Sequence, residues 1–246
     1  MTARLASIWR YPIKSHGREE LASVALSEGD CLPGDRRWAV AHEAARLQPG
    51  WNPCANFHRG AKAAALMAIT ARTEGDAVTL SHPDRPDLTF RPDMAEDLGA
   101  FLDWLAPLSP PDRAQPARIV SAGRGMTDSD YASVSILGLA SLRALSQRMG
   151  QDLSQHRFRG NLWVEGMAPF EEFDWIGRRL CIGEAVLEVR EPITRCRATM
   201  ANPETGRVDA DTLTALEGGW GHRDFGVYAV VVTPGRIAPE DGVTLL

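Results

Sequence analysis

The 246-residue sequence predicts a mainly β chain with a few helices, built as two linked β-barrel-like domains. Three observations predict it. Short runs able to form strands recur along the whole chain, cut by turns rich in glycine and proline. Only three stretches carry a helical pattern. A proline-rich linker, SPPDRAQPA at 109–117, separates residues 1–108 from residues 118–246.

In the first half, strands are expected at 3–10, 21–26 and 37–41, the first ending at the turn YPIKSHG. Period two puts Arg37 and Trp38 on different faces of the third. The next segment, LQPGWNPCANFHRG, has too many prolines, glycines and asparagines for a regular element. Strand-like runs resume at 65–71, 77–80 and 88–90. A helix follows from Asp93, with Asp93 as its cap and Glu96 as capping-box partner. Leu98, Phe101, Leu102 and Leu105 share one face of it, and Pro107, Pro110 and Pro111 stop it.

The second half opens with a strand at 118–121, the polar loop GRGMTDSDYA and an apolar run at 134–137. A helix is expected at 139–149, with Leu139, Leu142, Leu145 and Met149 inward and Gly150 ending it. Strands follow at 161–165, 179–182 and 185–190, the last two joined by a Gly183-Glu184 turn. A short helix at 211–217 precedes a final strand at 226–233.

Hydrophobic content of 44% and charged content of 24% are ordinary for a soluble globular protein. No run approaches the roughly 18 apolar residues that span a bilayer. The N-terminus lacks an apolar signal core with a cleavage site, so a cytoplasmic location is expected. A net charge of -5 argues against nucleic acid as a general partner. The cysteines at 31, 54, 181 and 196 form no CxxC pair and are expected to be free thiols. The histidines lack HExxH-type spacing, and neither GxGxxG nor GxxxxGK[ST] occurs, which disfavours zinc hydrolysis and nucleotide binding.

The chemistry concentrates around Cys196, in the run Thr194-Arg195-Cys196-Arg197. Flanking guanidiniums stabilise a thiolate, and a thiolate suits a soft or high-valent metal. Arg157, Arg159 and Asn161 offer planar donors for a phosphate or a heterocycle edge. Lys14 and Ser15, in a proline-containing loop, suit a phosphate as well. Taken singly, a cysteine is more often a small buried hydrophobe, and a lysine or arginine more often a solvated surface group. The acidic run Glu171-Glu172-Phe173-Asp174 is expected to cap and anchor a strand edge, with Phe170, Phe173 and Trp175 packing.

The order of the motifs carries more weight than any one of them. YPIKS (11–15), FRGN (158–161), PFEEFDW (169–175), RLCIGEAVLEV (179–189), TRC (194–196), NPETG (202–206) and FGVY (225–228) span nearly the whole chain. Together they resemble the MOSC family, the molybdenum-cofactor-sulfurase C-terminal-like domains. The likeness is to two-domain members similar to the mitochondrial amidoxime-reducing component, in which an N-terminal MOSC-type barrel precedes the MOSC barrel.

The resemblance implies a molybdenum cofactor (Mo-molybdopterin) seated between the two halves. Lys14, Ser15 and Arg36 would contact its phosphate, Arg36 matching a D-R-x-W arrangement for which Arg37 is the competing choice. Arg159 and Asn161 would contact the pterin or its phosphate, joined by Thr194, Arg195 and Tyr228. Cys196 would be the catalytic residue and the metal ligand. Gly160 stands where a proline is usual, which implies a looser loop. Asp128, Asp130 and Tyr131 resemble the family's substrate-side segment.

The implied reaction is reduction of a small N-hydroxylated substrate by oxygen-atom transfer. The cysteine cluster of members fused to a ferredoxin is missing, so the electrons would come from a separate flavin, ferredoxin or haem-type protein. No membrane partner is implied. The alternatives are a cofactor carrier or sulfur-transfer protein using Cys196, and a pterin-binding module without metal chemistry.

Overall fold

The computed structural model describes residues 3–246; Met1 and Thr2, where the stretch read for an export signal begins, lie outside the described residues. The chain is mainly β, with three α-helices among the described residues. None of these helices is long and apolar enough to cross a membrane.

Eight strands form the main sheet. Their spatial order is Val243–Leu245, Arg179–Ile182, Ala185–Thr194, Asp224–Thr233, Val134–Gly138, Leu162–Glu165, Arg4–Arg10 and Glu19–Leu21. Neighbours are antiparallel except Val134–Gly138 with Leu162–Glu165, which run parallel. A parallel pair needs a crossover, and the helix Leu139–Met149 lies in it. All five residues of Val134–Gly138 are buried, as expected of a strand covered on both faces. Along Ala185–Thr194 the pattern alternates instead, with Ala185, Leu187 and Val189 turned into the core.

The edge strand Val243–Leu245 and the penultimate strand on the other side, Arg4–Arg10, are tied together without a regular ladder. Leu5 N donates to Asp241 O at 2.8 Å, and Val243 N donates to Ala3 O at 2.8 Å. The lobe is therefore barrel-like, not a closed barrel. A second core, with Ile13, Trp38, Leu66, Val78, Leu80 and Phe101, lies under the three-stranded sheet Thr70–Glu74, Ala77–His82, Arg85–Phe90 and the helix Leu98–Leu105.

Strand pairing interweaves the two halves. Arg4–Arg10 pairs with Leu162–Glu165, Val24–Leu26 with Gly235–Ile237, and Pro116–Val120 reaches back to Ala39–His42. The first of these pairings positions the site. Trp9 N donates to Asn161 O at 2.7 Å, so Tyr11–Ser15 leaves the strand directly beside Phe158–Asn161.

The helix Leu139–Met149 forms at the expected bounds and ends at Gly150, whose φ of 62° is the left-handed cap. Asp211 caps the helix Thr212–Trp220 by accepting from Thr214 N at 3.1 Å.

Several expectations are corrected. The first helix begins at Leu98, because the Asp93 carboxylate accepts from Trp38 Nε1 at 2.7 Å and Arg37 Nη2 at 3.0 Å and caps nothing. The run 65–71 is a 3-10 turn, Ala64–Ala68, followed by a strand from Thr70. Leu66, Met67 and Ala68 are buried in succession, which one face of a strand cannot do. The run 21–26 breaks into two strands of different sheets. Two further strands, Gly235–Ile237 and Val243–Leu245, follow the expected final strand. Glu172 anchors a helix, not a strand edge: both its oxygens accept from Ser141 Oγ at 2.9 Å in the first turn of Leu139–Met149. Burial pushes its carboxyl above the usual range.

Candidate functional site

A cavity of about 260 Å³ opens where YPIKS, GDRRW, FRGN and TRC converge. Lys14, Ser15 and Arg36 from the first half line it, with Arg159, Thr194, Arg195, Cys196 and Tyr228 from the second. Arg37 is outside it, its guanidinium over the Trp38 ring at 4.5 Å.

The backbone around the cavity is strained. Among the described residues five non-glycines have positive φ, and three of them are Ser15 (64°), Arg36 (49°) and Arg159 (48°). Each such conformation costs about 1–2 kcal/mol, and strain of this kind clusters at functional sites. Local bonds hold it. Arg36 N donates to Tyr11 O at 2.7 Å, Met126 N donates to Arg36 O at 2.8 Å, and Arg36 Nη2 donates to Arg159 O at 3.0 Å.

Tyr11 is the shelf beneath these arginines. The guanidiniums of Arg36 and Arg159 lie 4.9 and 4.3 Å from its ring centroid. Its hydroxyl donates to Gly160 O at 3.1 Å, and burial pushes the phenol up to about 12, so it stays a neutral donor.

The electrostatics are lopsided. Six lining side chains are cationic (Lys14, Arg36, Arg59, Arg157, Arg159 and Arg195), against one lining carboxylate, Asp128. Lys14 pairs with Asp128 at 2.6 Å, Arg157 with Asp209 at 2.7 Å, and Arg36 with Asp35 behind the wall. Arg59, Arg159 and Arg195 have no carboxylate partner among the described residues. Arg59 donates to Cys54 Sγ, Arg159 to Gly17 O, and Arg195 to Phe158 O and Phe225 O. Burial, then repulsion from Arg36, holds Arg159 down at about 9; burial holds Arg195 at about 10. Burial also lowers Lys14, against the pull of Asp128. Unpaired charge in a recess is unfavourable, and an anion entering it would relieve the imbalance.

Cys196 lies just beyond the strand Ala185–Thr194 and starts the 3-10 turn Arg197–Met200, with its side chain exposed. Thr194 Oγ1 donates to Asp224 Oδ1 at 2.5 Å, and Arg195 N donates to Arg223 O at 2.9 Å, fixing the turn that presents the thiol. Gly226, at φ 77°, admits the Arg195 guanidinium: a Cβ there would lie 3.3 Å from Arg195 Nη2 and 2.8 Å from Ile136 O.

Asn161 does not line the cavity. Its Oδ1 accepts from Ser135 N at 3.1 Å and Ser135 Oγ at 2.8 Å, and its Nδ2 donates to Trp9 O at 3.1 Å. It ties three strands of the main sheet together. Gly160 does not loosen its loop, because a Cβ there would fall 2.1 Å from Leu137 Cδ1, and Leu137 is fully buried.

Residues 124–244 match the family model of the MOSC domain, and residues 2–103 match that of the MOSC N-terminal beta barrel domain. The chain belongs to the MOSC family. It is 32% identical over 126 residues to the molybdenum cofactor sulfurase of Anopheles gambiae, covering 46% of this chain and 16% of that protein. It is 34% identical over 123 residues to the molybdenum cofactor sulfurase of Drosophila grimshawi, covering 48% and 16%. The MOSC chain thus spans about a sixth of the length of these curated relatives. Among solved structures, the YUAD protein of Bacillus subtilis superposes with a TM-score of 0.49 at 13% identity, covering 100% of this chain and 96% of that one. YiiM from Escherichia coli superposes with a TM-score of 0.34 at 18% identity, over 46% and 53%.

Sequence reasoning on the MOSC motifs did not show how three parts of the wall pair. Tyr11 read only as the first letter of YPIKS, with no sign that its ring would carry two guanidiniums. Arg59 and Cys54 come from a segment read as loop, and Arg59 Nη1 donates to Cys54 Sγ at 2.7 Å. Asp128, placed by the resemblance in the substrate-side segment, is the partner of Lys14; burial would raise its carboxyl, but Lys14 holds it below the usual range.

Proposed function

We propose that this MOSC protein is a molybdenum-cofactor-dependent oxidoreductase that reduces N-hydroxylated substrates, with Cys196 as its ligand to molybdenum. One observation carries the reading: guanidiniums without carboxylate partners face the same cavity as an exposed thiol. A phosphate-bearing cofactor whose metal accepts sulfur fits both features. Among the described residues no cluster of three or more His, Cys, Asp or Glu could hold a metal ion. A metal at Cys196 would therefore draw its remaining ligands from its own cofactor.

When bound, the cofactor supplies two-electron oxygen-atom transfer, with electrons restored by a separate flavin, ferredoxin or haem-type protein. The chain's residues seat and orient it. Arg159, Arg36, Lys14 and Ser15 hold the phosphate, and Tyr11 keeps two of those guanidiniums in their planes. Arg195 keeps positive charge beside the Cys196 sulfur. Asp128, whose carboxyl Lys14 keeps below the usual range, stays an ionised acceptor and holds Lys14 Nζ at the cavity wall, 2.6 Å from its Oδ1. Tyr228, whose phenol burial and then Asp128 raise to about 12, is a neutral hydroxyl on the same wall.

Protein purified from a cofactor-producing host is assayed for molybdenum and for benzamidoxime reduction with a chemical electron donor. Metal and activity that both vanish in Cys196→Ala support the proposal. Wild-type protein carrying metal yet inactive on every N-hydroxylated compound tried contradicts it.

A second reading, a cofactor carrier or sulfur-transfer protein, is favoured by the exposure of Cys196 and by the names of the curated relatives. Cofactor that exchanges readily without turnover, or a sulfane sulfur on Cys196 without metal, would favour it.

A further inference from the structure

On the other side of Arg59 lies a second recess, of about 170 Å³, lined by His42, His58, Arg59, Lys62 and Arg113 with no carboxylate among its lining residues. Arg59 is common to both walls. Its Nη1 is engaged by Cys54 on the cavity side. Arg113 has only a loose pairing with Asp112, at 3.6 Å between exposed side chains.

A buried chain of imidazoles determines what this recess offers. His16 Nδ1 lies 2.7 Å from Lys14 O. A carbonyl oxygen only accepts, so that nitrogen carries the proton. Burial holds His16 well below its usual range and neutral, so its Nε2 is an acceptor. His58 Nδ1, 3.3 Å from that Nε2, must then donate to it. Burial, then His42, holds His58 at about 4, so it too is neutral and its Nε2 is a bare acceptor. That Nε2 has no partner, although His58 is only 5% exposed. His42 Nε2 donates to Ala55 O at 2.8 Å, and its Nδ1 is also buried without a partner.

The recess thus combines three cations with a bare acceptor, His58 Nε2, and a second imidazole nitrogen without a partner, His42 Nδ1. A metal ion would suit the imidazoles but is opposed by three positive charges. A fully deprotonated anion would suit the charges but leave the imidazoles unsatisfied. We propose that this recess binds a protonated oxyanion of the phosphate class, whose P–O–H donates to His58 Nε2 while its other oxygens accept from Arg59, Lys62 and Arg113. This site is separate from the one assigned to the cofactor phosphate and stands whether or not that assignment holds.

Sulfate has the same shape and no proton at neutral pH, so it is the discriminating probe. Inorganic phosphate, methyl phosphate and sulfate are titrated calorimetrically into the purified protein and into Lys62→Gln/Arg113→Gln, whose positions are exposed and outside the cavity. The expected result is a phosphate site at least tenfold selective over sulfate and weakened at least tenfold in the double variant. Methyl phosphate binding as well as phosphate assigns the site to a phosphomonoester; inorganic phosphate alone assigns it to the free ion. In parallel, the imidazole nitrogen resonances of His58 should shift with phosphate and not with sulfate. Equal affinity for the two anions, phosphate binding unchanged in the double variant, or a His58 ring indifferent to phosphate would each overturn the proposal.

Discussion

The guanidinium of Arg36 donates to the backbone carbonyl of Arg159 at 3.0 Å, and both residues hold left-handed backbone conformations, at φ 49° and 48°. Two strained residues from opposite halves of the chain thus brace each other over Tyr11. This arrangement favours a ligand more than it favours the free protein. Arg159→Asn keeps a residue that tolerates positive φ and removes an unpaired cation. The cofactor-free variant is expected to be more stable than wild type by about 1 kcal/mol, read as a higher urea midpoint, while losing its bound pterin. A drop in stability of similar size would show that Arg159 serves the fold.

Asn161 separates a structural role from a binding one. Its amide satisfies Ser135 and Trp9 inside the sheet. Asn161→Ala leaves several buried groups unpaired and is expected to cost about 3 kcal/mol. The fraction that stays folded should retain cofactor as well as wild type does. A variant of normal stability that fails to bind would make Asn161 a cofactor contact after all.

Gly160 tests the packing between the site and the core. A Cβ at this position would approach Leu137 Cδ1 to 2.1 Å, which leaves no room for any side chain. Gly160→Ala should cost about 2 kcal/mol through overpacking. Adding Leu137→Ala should recover part of that loss, giving a coupling of about 1 kcal/mol in a double-mutant cycle. Additive losses would mean that the two positions do not touch.

The His16–His58 pair makes stability depend on pH. Burial holds both folded-state values below the unfolded one, His58 at about 4. The unfolded chain takes up protons near 6.5 while the folded chain refuses them. The contribution is therefore complete above pH 6.5 and is lost as pH falls towards 4. Each histidine adds a slope of up to about 1.4 kcal/mol per pH unit in that window. Urea midpoints at pH 7, 6 and 5 should fall steadily, and the fall should flatten in His58→Asn. Midpoints that do not change between pH 7 and 5 would contradict the burial of the pair.

Much of the site was legible because its residues are grouped into short motifs whose chemistry is local. Arg36 followed from the likeness to the D-R-x-W arrangement, not from strand alternation, since the strand starts only at Ala39, and the helix Leu139–Met149 followed from its 3.6-residue period and Gly150. What stayed hidden depends on distant pairing. Nothing local in Arg4–Arg10 reveals that it pairs with Leu162–Glu165, yet that register sets Tyr11 beside Phe158–Asn161. Asn161 has the chemistry of a ligand contact, and only the strands around it show where its amide is directed. Asp93 has the sequence of a helix cap, but Trp38 and Arg37 compete for its carboxylate more effectively than the helix does.

The central claim is that this cavity seats a phosphorylated pterin with Cys196 on its metal. The most direct measurement is the content of molybdenum and pterin per chain in wild type, Arg159→Asn and Cys196→Ser, each purified from a cofactor-producing host. The expected result is about one of each in wild type, loss of both in Arg159→Asn, and pterin retained with molybdenum lost in Cys196→Ser. Wild-type protein free of pterin, or Arg159→Asn that keeps it in full, would contradict the claim.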